Sequence, residues 1–144
     1  MKQDYPAKVE TIISASRAAV WKALTDPQAI RQYLYGTEAI SDWKPGSSIV
    51  YRGEWEGKPY EDKGTILEFE PGKSLVTSFF SPLSGLPDLP ENYQTIRYQL
   101  SDTDGGTRLV IVQENNPSRE EADRAEQNWS QVLGSLKNLV EGQA

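Results

Sequence analysis

The side chains available for chemistry in this sequence are carboxylates, phenols and the cationic groups of lysine and arginine, because the chain contains no histidine and no cysteine. A Ser-His-Asp or Cys-His arrangement for nucleophilic catalysis is therefore excluded, as is a zinc site built from histidine or cysteine ligands. A lone phenol such as Tyr51 or Tyr98, with an ordinary pKa of about 10, is a poor acid-base catalyst at neutral pH. The residue types predict no catalytic residue, no metal site and no cofactor.

Motifs and overall charge remove further functional classes. No Gly-x-Gly-x-x-Gly or phosphate-loop pattern occurs, and residues 102–105 match only the start of a calcium loop, where a hairpin turn is expected. The formal net charge is -6 at pH 7, with 15 Lys and Arg against 21 Asp and Glu, which repels nucleic acid and anionic lipid. Since neither a secretion signal nor a bilayer-spanning apolar run is present, we expect a cytoplasmic protein without nucleic-acid partners or membrane insertion.

The elements that must position any site begin with one strand and two short helices. Residues 8–13 alternate apolar and polar side chains, which indicates a half-buried strand. Ser14 or Ser16 can then cap a helix whose apolar residues fall at helical spacing before Asp26. Asp26 can in turn cap a second helix that ends at Gly36.

A long middle segment has the pattern of an antiparallel meander. From residue 38 to residue 114 the apolar residues recur with period 2, and turn signals such as Pro45-Gly46 and Pro71-Gly72 interrupt them. This pattern predicts strands at about 38–43, 48–55, 60–70, 74–81, 93–101 and 107–114.

An amphipathic helix closes the sequence, from Ser118 to about Val140. Ser118 and Glu121 form a capping-box pattern, in which the serine oxygen accepts a backbone N–H and the glutamate reaches back toward the cap. One stripe of the helix is apolar, and its residues are Ala122, Ala125, Trp129, Val132, Leu133, Leu136, Leu139 and Val140. Because only the apolar face of the sheet is large enough to bury this stripe, we expect a single α+β domain over residues 1–144. The small Ala122 and Ala125 would leave space against the sheet.

Four stretches of the sequence carry a resemblance that runs over essentially the whole chain: VETIISASRAAVWKALTDPQAIRQYL, GTILEFEPGKSLVTSFF, GGTRLVIVQENNPS and NWSQVLGSLKNLVE. They resemble the family of heat-shock-protein-90 ATPase activator homologs, within the START-like or Bet v 1-like superfamily. The resemblance implies a helix-grip fold, in which a curved seven-stranded antiparallel sheet wraps the long C-terminal helix and two short helices follow the first strand. It also implies a hydrophobic cavity between the sheet and the helix.

The expected function is non-catalytic binding of a small hydrophobic ligand in this cavity. Residues that point inward by strand parity or stripe position are predicted to contact the ligand, namely Tyr51, Trp55, Leu67, Phe69, Phe79, Tyr98, Trp129, Leu133 and Leu136. Their alternative role is plain hydrophobic core. The tyrosines and tryptophans favour a cavity, because a buried O–H or N–H needs a partner that a cavity water or a ligand oxygen would supply.

The segment 81–92 is a long loop that contains prolines and the apolar residues Leu83, Leu86 and Leu89. A merely solvated loop has little use for three leucines. They predict a lid over the cavity, with two alternatives: a docking strip for a partner protein, or a loop pinned by its own leucines against the sheet edge.

Two other functions stay open. Superfamily cyclases place acids and tyrosines along such a cavity, so an enzyme of the cyclase or lyase kind would draw on Glu54, Tyr60, Glu61, Asp62 and Arg97. Strand parity predicts that Glu54 and Arg97 point outward and that Glu61 and Asp62 lie on opposite faces of their strand. A carboxylate that points into the cavity and has a raised pKa would favour the enzyme. A chaperone-associated interaction protein is the second alternative, which copurification with the chaperone would identify. Both a monomer and a homodimer are compatible with the sequence.

Overall fold

The computed structural model describes residues 5–34, 36–55, 57–81 and 85–142, apart from the side chain of Trp55. The strands are β1 (Ala7–Ile13), β2 (Glu38–Ser41), β3 (Ser48–Trp55), β4 (Lys58–Glu70), β5 (Ser74–Phe79), β6 (Gln94–Thr103) and β7 (Gly106–Glu114). The α-helices are α1 (Arg17–Thr25), α2 (Pro27–Tyr33) and α3 (Arg119–Gly142), and a short 3-10 helix spans Pro90–Asn92. These elements follow the predicted order along the chain.

The seven strands form one antiparallel sheet in the spatial order β1-β7-β6-β5-β4-β3-β2. Strands β2 to β7 meander across the sheet, and β1 occupies the far edge by pairing with β7. The sheet curves around α3, which packs against β1, β7, α1 and α2. The predicted helix-grip fold is confirmed. Within the described part of the chain, no helix combines the length and apolarity needed to cross a membrane.

Local signals explain both short helices. The Ser16 side chain accepts a hydrogen bond from the backbone N–H of Ala19 (3.2 Å), so Ser16 rather than Ser14 caps α1. The carboxylate of Asp26 accepts from the backbone N–H of Gln28 (3.0 Å) and caps α2, whose first residue is a proline. Both caps lie where the sequence predicts helix starts.

One predicted strand face is wrong at Leu67. The pairing of β4 with β5 shifts between Ile66↔Thr77 and Glu68↔Val76, so β4 carries one extra residue at this point. Such a bulge breaks the alternation of the strand. Ile66 is fully buried, whereas Leu67 is 54% exposed and points away from the interior. Phe69 lies on the inner side again, where its ring packs edge-on against Trp21 with the ring centroids 5.2 Å apart.

Two predicted strands are longer than those observed. Strand β2 ends at Ser41 rather than at residue 43, because Trp43 has a positive φ of 57° and its backbone N–H donates to the Ser41 side chain. Strand β5 ends at Phe79 rather than at residue 81, and Phe80 then makes an isolated bridge with Lys63. Strand β6 instead extends two residues beyond its predicted end, to Thr103.

Helix α3 begins directly after its predicted cap. The Ser118 side chain accepts a hydrogen bond from the backbone N–H of Glu121 (3.1 Å), as the capping-box pattern predicts. The Glu121 carboxylate, however, accepts from the guanidinium of Arg124 (2.9 Å). The apolar stripe of the helix is turned inward, and its fully buried members are Ala122, Leu133, Leu136 and Val140.

Replacing Ser118 by alanine is expected to lower the free energy of unfolding by about 1 kcal/mol, because the substitution removes a side-chain acceptor at a helix start. Urea denaturation followed by circular dichroism measures this loss. Ser130→Ala, at an exposed position in the middle of the same helix, is the control and should not destabilise the protein. Equal losses for the two variants would contradict the cap assignment.

Candidate functional site

A cavity of about 950 Å³ lies between the inner face of the sheet and the N-terminal half of α3. Its sheet side includes Tyr51 of β3, Phe79 of β5 and Tyr98 of β6. The facing helix contributes residues that include Ala125, Trp129 and Val132. The walls therefore combine apolar and aromatic side chains with about as many polar and charged ones.

The residues predicted to contact a ligand fall into three groups. Those that border the cavity are Tyr51, Phe79, Tyr98 and Trp129. Those that belong to the hydrophobic core beside it are Phe69, Leu133 and Leu136. Leu67 lies on the outer surface, and the side chain of Trp55 is outside the described residues. Trp129 borders the cavity, whereas Leu133 and Leu136, further along α3, lie in the core together with Val20, Leu24 and Ile30.

The phenols at the cavity are hydrogen-bonded and buried. A hydrogen bond joins the side chains of Tyr51 and Tyr98, and it raises the pKa of Tyr98 while it lowers that of Tyr51. Burial dominates both phenols and raises the pKa of Tyr51 to about 12 and that of Tyr98 well above its ordinary value. Both phenols therefore stay protonated at neutral pH and act as hydrogen-bond donors rather than as bases.

A network of amide side chains, which the sequence analysis missed, holds Trp129. The indole N–H of Trp129 donates to Oε1 of Gln113 (2.7 Å), and Nε2 of Gln113 donates to Oε1 of Gln94 (2.8 Å). Gln94 in turn donates to Oδ1 of Asn116 (2.8 Å), a residue that is 2% exposed. The predicted need of this indole for a cavity water or ligand oxygen is thus met by the protein itself. Gln113 shares the inward parity of Leu109 and Ile111. A polar residue at an inward position of a strand is the feature of the sequence that could have predicted this network.

Among the acidic candidates, Asp62 faces the cavity. It lies directly opposite Tyr51 in the pairing of β3 with β4, so both side chains project from the same face of the sheet. Its neighbour Glu61 is exposed on the other face and pairs with Arg52 (3.0 Å). Glu54 and Arg97 are exposed as well, as strand parity predicts.

The carboxylate of Asp62 is incompletely paired. Burial raises its pKa, and a hydrogen bond from the side chain of Ser81 lowers it in part. The other oxygen, Oδ1, is buried and has no hydrogen-bond partner among the described residues. Because the pKa of Asp62 is higher in the folded than in the unfolded protein, the protonated carboxyl favours folding. This contribution to stability is present at low pH and is lost as the pH rises through the folded-state pKa. The ionised carboxylate therefore costs folding stability.

Tyr60 also borders the cavity, and its hydroxyl is hydrogen-bonded to Oγ1 of Thr37 (2.5 Å). The Thr37 hydroxyl donates to the backbone carbonyl of Leu34 (2.8 Å), so Tyr60 is the donor in the first hydrogen bond. This chain of hydrogen bonds joins β4 to the end of α2. It positions Tyr60 structurally beside the inward carboxylate of Asp62.

Comparison with known proteins adds family membership to this geometry. A family model described as Activator of Hsp90 ATPase homolog 1-like protein matches residues 14–141. The chain belongs to this family. The protein ChR145 from Cytophaga hutchinsonii, known from a solution structure, is 45% identical over 99% of this chain and 98% of that chain, with a TM-score of 0.86. The resemblance in the sequence is thereby confirmed, and so is the START-like fold.

Two more distant structures show the same fold and no more than that. The Aha1 dimer from Colwellia psychrerythraea is 18% identical over 94% of this chain and 96% of that chain, with a TM-score of 0.74. DynU16, from the dynemicin biosynthetic locus, is 20% identical over 96% of this chain and 48% of that chain, with a TM-score of 0.78. No curated protein matches the sequence.

Polar contacts hold the loop before β6. Asp88 pairs with Lys63 and accepts a hydrogen bond from the Tyr93 hydroxyl (2.7 Å). Leu86 borders the cavity and is 43% exposed, Leu89 is 44% exposed, and Leu83 lies outside the described residues. Of these two leucines, Leu86 is the one that lies at the cavity, where a lid would act.

Proposed function

We propose that this protein binds a small hydrophobic molecule in the cavity between the sheet and α3, without catalysing a reaction on it. The observation that carries this proposal is the cavity itself, whose volume of about 950 Å³ falls in the usual range for ligand sites of about 300–1,000 Å³. Its walls combine aromatic and aliphatic side chains, which offer apolar contact, with amide and carboxylate side chains that can orient a ligand. Leu86 is proposed as part of a lid over it.

Ala125→Phe is expected to weaken binding of an apolar fluorescent probe at least about tenfold, because the added ring would occupy the space that Ala125 leaves against the sheet. A fluorescence titration with an anilinonaphthalene probe measures the affinity. In the unsubstituted protein, a probe concentration of about 100 Kd should add about 2.7 kcal/mol of stability, which appears as a rise in melting temperature.

Gln127→Phe is the matched control, since Gln127 is exposed on the same helix and does not border the cavity. It should leave probe affinity unchanged. Two results would reject the binding function: a probe that neither binds nor stabilises the unsubstituted protein, or equal affinity losses in the two phenylalanine variants.

The inward position of Asp62 favours a second candidate function, an enzyme of the cyclase or lyase kind that uses the same cavity. A half-buried carboxyl with a raised pKa can give or take a proton from a bound molecule. Mass spectrometry of protein purified from its own source would identify a copurifying molecule. Incubating that molecule with the protein and with Asp62→Asn then separates the two functions, because only an enzyme converts it and only the unsubstituted enzyme does so efficiently.

A further inference from the structure

Tyr51 and Asp62 form a polar pair at the cavity. The two residues are direct partners across β3 and β4, which places their Cβ atoms about 4.5–5.5 Å apart on one face. The phenols of Tyr51 and Tyr98 share one hydrogen bond, which uses one of their two hydroxyl hydrogens and leaves the other for a ligand. Asp62 has one oxygen bonded to Ser81 and one without a partner among the described residues.

The Asp62 carboxylate can turn toward the cavity without displacing the strand. The last torsion of an aspartate side chain is broad, so a rotation of the carboxylate can bring an oxygen to the cavity surface. A ligand group seated between Asp62 and Tyr51 would therefore meet an acceptor on one side and a phenolic donor on the other. A hydroxyl group satisfies both at once, whereas an ammonium group only donates and an ionised carboxylate only accepts.

The charges around the cavity argue against an acidic ligand. Among the described residues that border it, the carboxylates are those of Asp62, Glu91 and Glu121, and the one cation is Arg124. Arg124 is already paired with Glu121 (2.9 Å) and with Glu120 (3.3 Å). The surplus of negative charge at the cavity repels an anionic head group.

We propose that the ligand of this cavity is a neutral hydroxylated molecule, an alcohol or phenol with an apolar body, whose hydroxyl donates to Asp62 and accepts from Tyr51. This inference rests on the proposed binding function. It also accounts for a carboxylate that costs folding stability at the edge of an apolar cavity, since a residue that breaks the local rule for burial is expected at a functional site.

The test compares four naphthalenes that differ only in one substituent, by isothermal titration calorimetry at pH 7. They are 1-methylnaphthalene, 1-naphthalenemethanol, 1-naphthoate and 1-(aminomethyl)naphthalene. We expect the alcohol to bind about tenfold tighter than the methyl compound and at least about tenfold tighter than the carboxylate. The affinity of the amine should lie between those of the alcohol and the carboxylate. The methyl compound reports the apolar cavity alone.

Asp62→Leu should abolish the preference for the alcohol over the methyl compound. Asp62→Asn is the second variant; it keeps an acceptor without charge, so it should retain part of the alcohol preference and weaken the discrimination against the carboxylate. Glu61→Gln, next in sequence and exposed on the opposite face, is the control and should behave like the unsubstituted protein.

The outcomes separate this inference from the binding function on which it rests. If 1-methylnaphthalene and the alcohol bind equally, or if the carboxylate or the amine binds best, the hydroxyl inference is overturned and the cavity function stands. If none of the four compounds binds, both fail. An alcohol preference that survives in Asp62→Leu would also overturn the assignment of Asp62.

Discussion

Leu136→Ala is expected to lower the free energy of unfolding by about 2–5 kcal/mol. Leu136 is fully buried in the core cluster beneath the C-terminal half of α3. Alanine would remove buried methyl and methylene groups and leave a void that the closely packed surroundings fill only partly. Urea denaturation monitored by tryptophan fluorescence gives the change.

The same variant distinguishes a core role for Leu136 from the predicted ligand contact. Leu136 does not border the cavity, so the folded variant should bind the apolar probe with unchanged affinity when it is measured well below its melting temperature. Leu139→Ala provides the comparison, because Leu139 is only partly buried at the margin of the same cluster and should lose less stability. A small loss at Leu136 together with a large fall in probe affinity would contradict the core assignment.

Gly64→Ala is expected to destabilise the protein by at least about 3 kcal/mol. A Cβ atom on Gly64 would lie 1.8 Å from the backbone oxygen of Ser78 and 2.7 Å from its carbonyl carbon. Because both atoms are backbone, no change of rotamer can relieve the contact, and β4 and β5 would have to separate. The two strands lie close together at this point, and the Ser78 side chain accepts a hydrogen bond from the backbone N–H of Thr65 (2.9 Å).

Gly134→Ala is the same substitution, but it is expected to raise the free energy of unfolding rather than lower it. Gly134 lies within α3, and a Cβ built on it meets no atom within 4 Å. Alanine at such a position should stabilise the helix by about 0.5–1 kcal/mol relative to glycine. Thermal denaturation of both variants tests the pair, and a Gly64→Ala protein as stable as the unsubstituted one would mean that the strands do not approach as described.

The position of Gly64 could not be recognised as special from the sequence. Glycine in a strand indicates a bulge or a close approach of another backbone, but it does not say which backbone approaches. The answer depends on the irregular pairing of β4 with β5, where Lys63 bridges Phe80 and the regular register begins only at Ile66. That pairing joins residues more than ten positions apart.

The sequence by itself determined the secondary-structure elements and the family. The alternation of β6 and β7, the caps at Ser16 and Asp26 and the apolar stripe of α3 all depend on residues within a few positions of one another. Such signals are local, so they can be read along the chain without knowledge of its partners. The inward parity of Tyr51 and Tyr98 follows from the same alternation.

Only the tertiary structure decided which inward residues border open space. Trp129 and Leu136 share one stripe, yet the first borders the cavity and the second is buried in a core to which α1 and α2 also contribute. The bulge that turns Leu67 outward, the Gln113 partner of Trp129 and the placement of Asp62 opposite Tyr51 likewise depend on the register between strands. Register is set by packing across the sheet, and the alternation of side chains along one strand does not determine which residues of the next strand lie opposite.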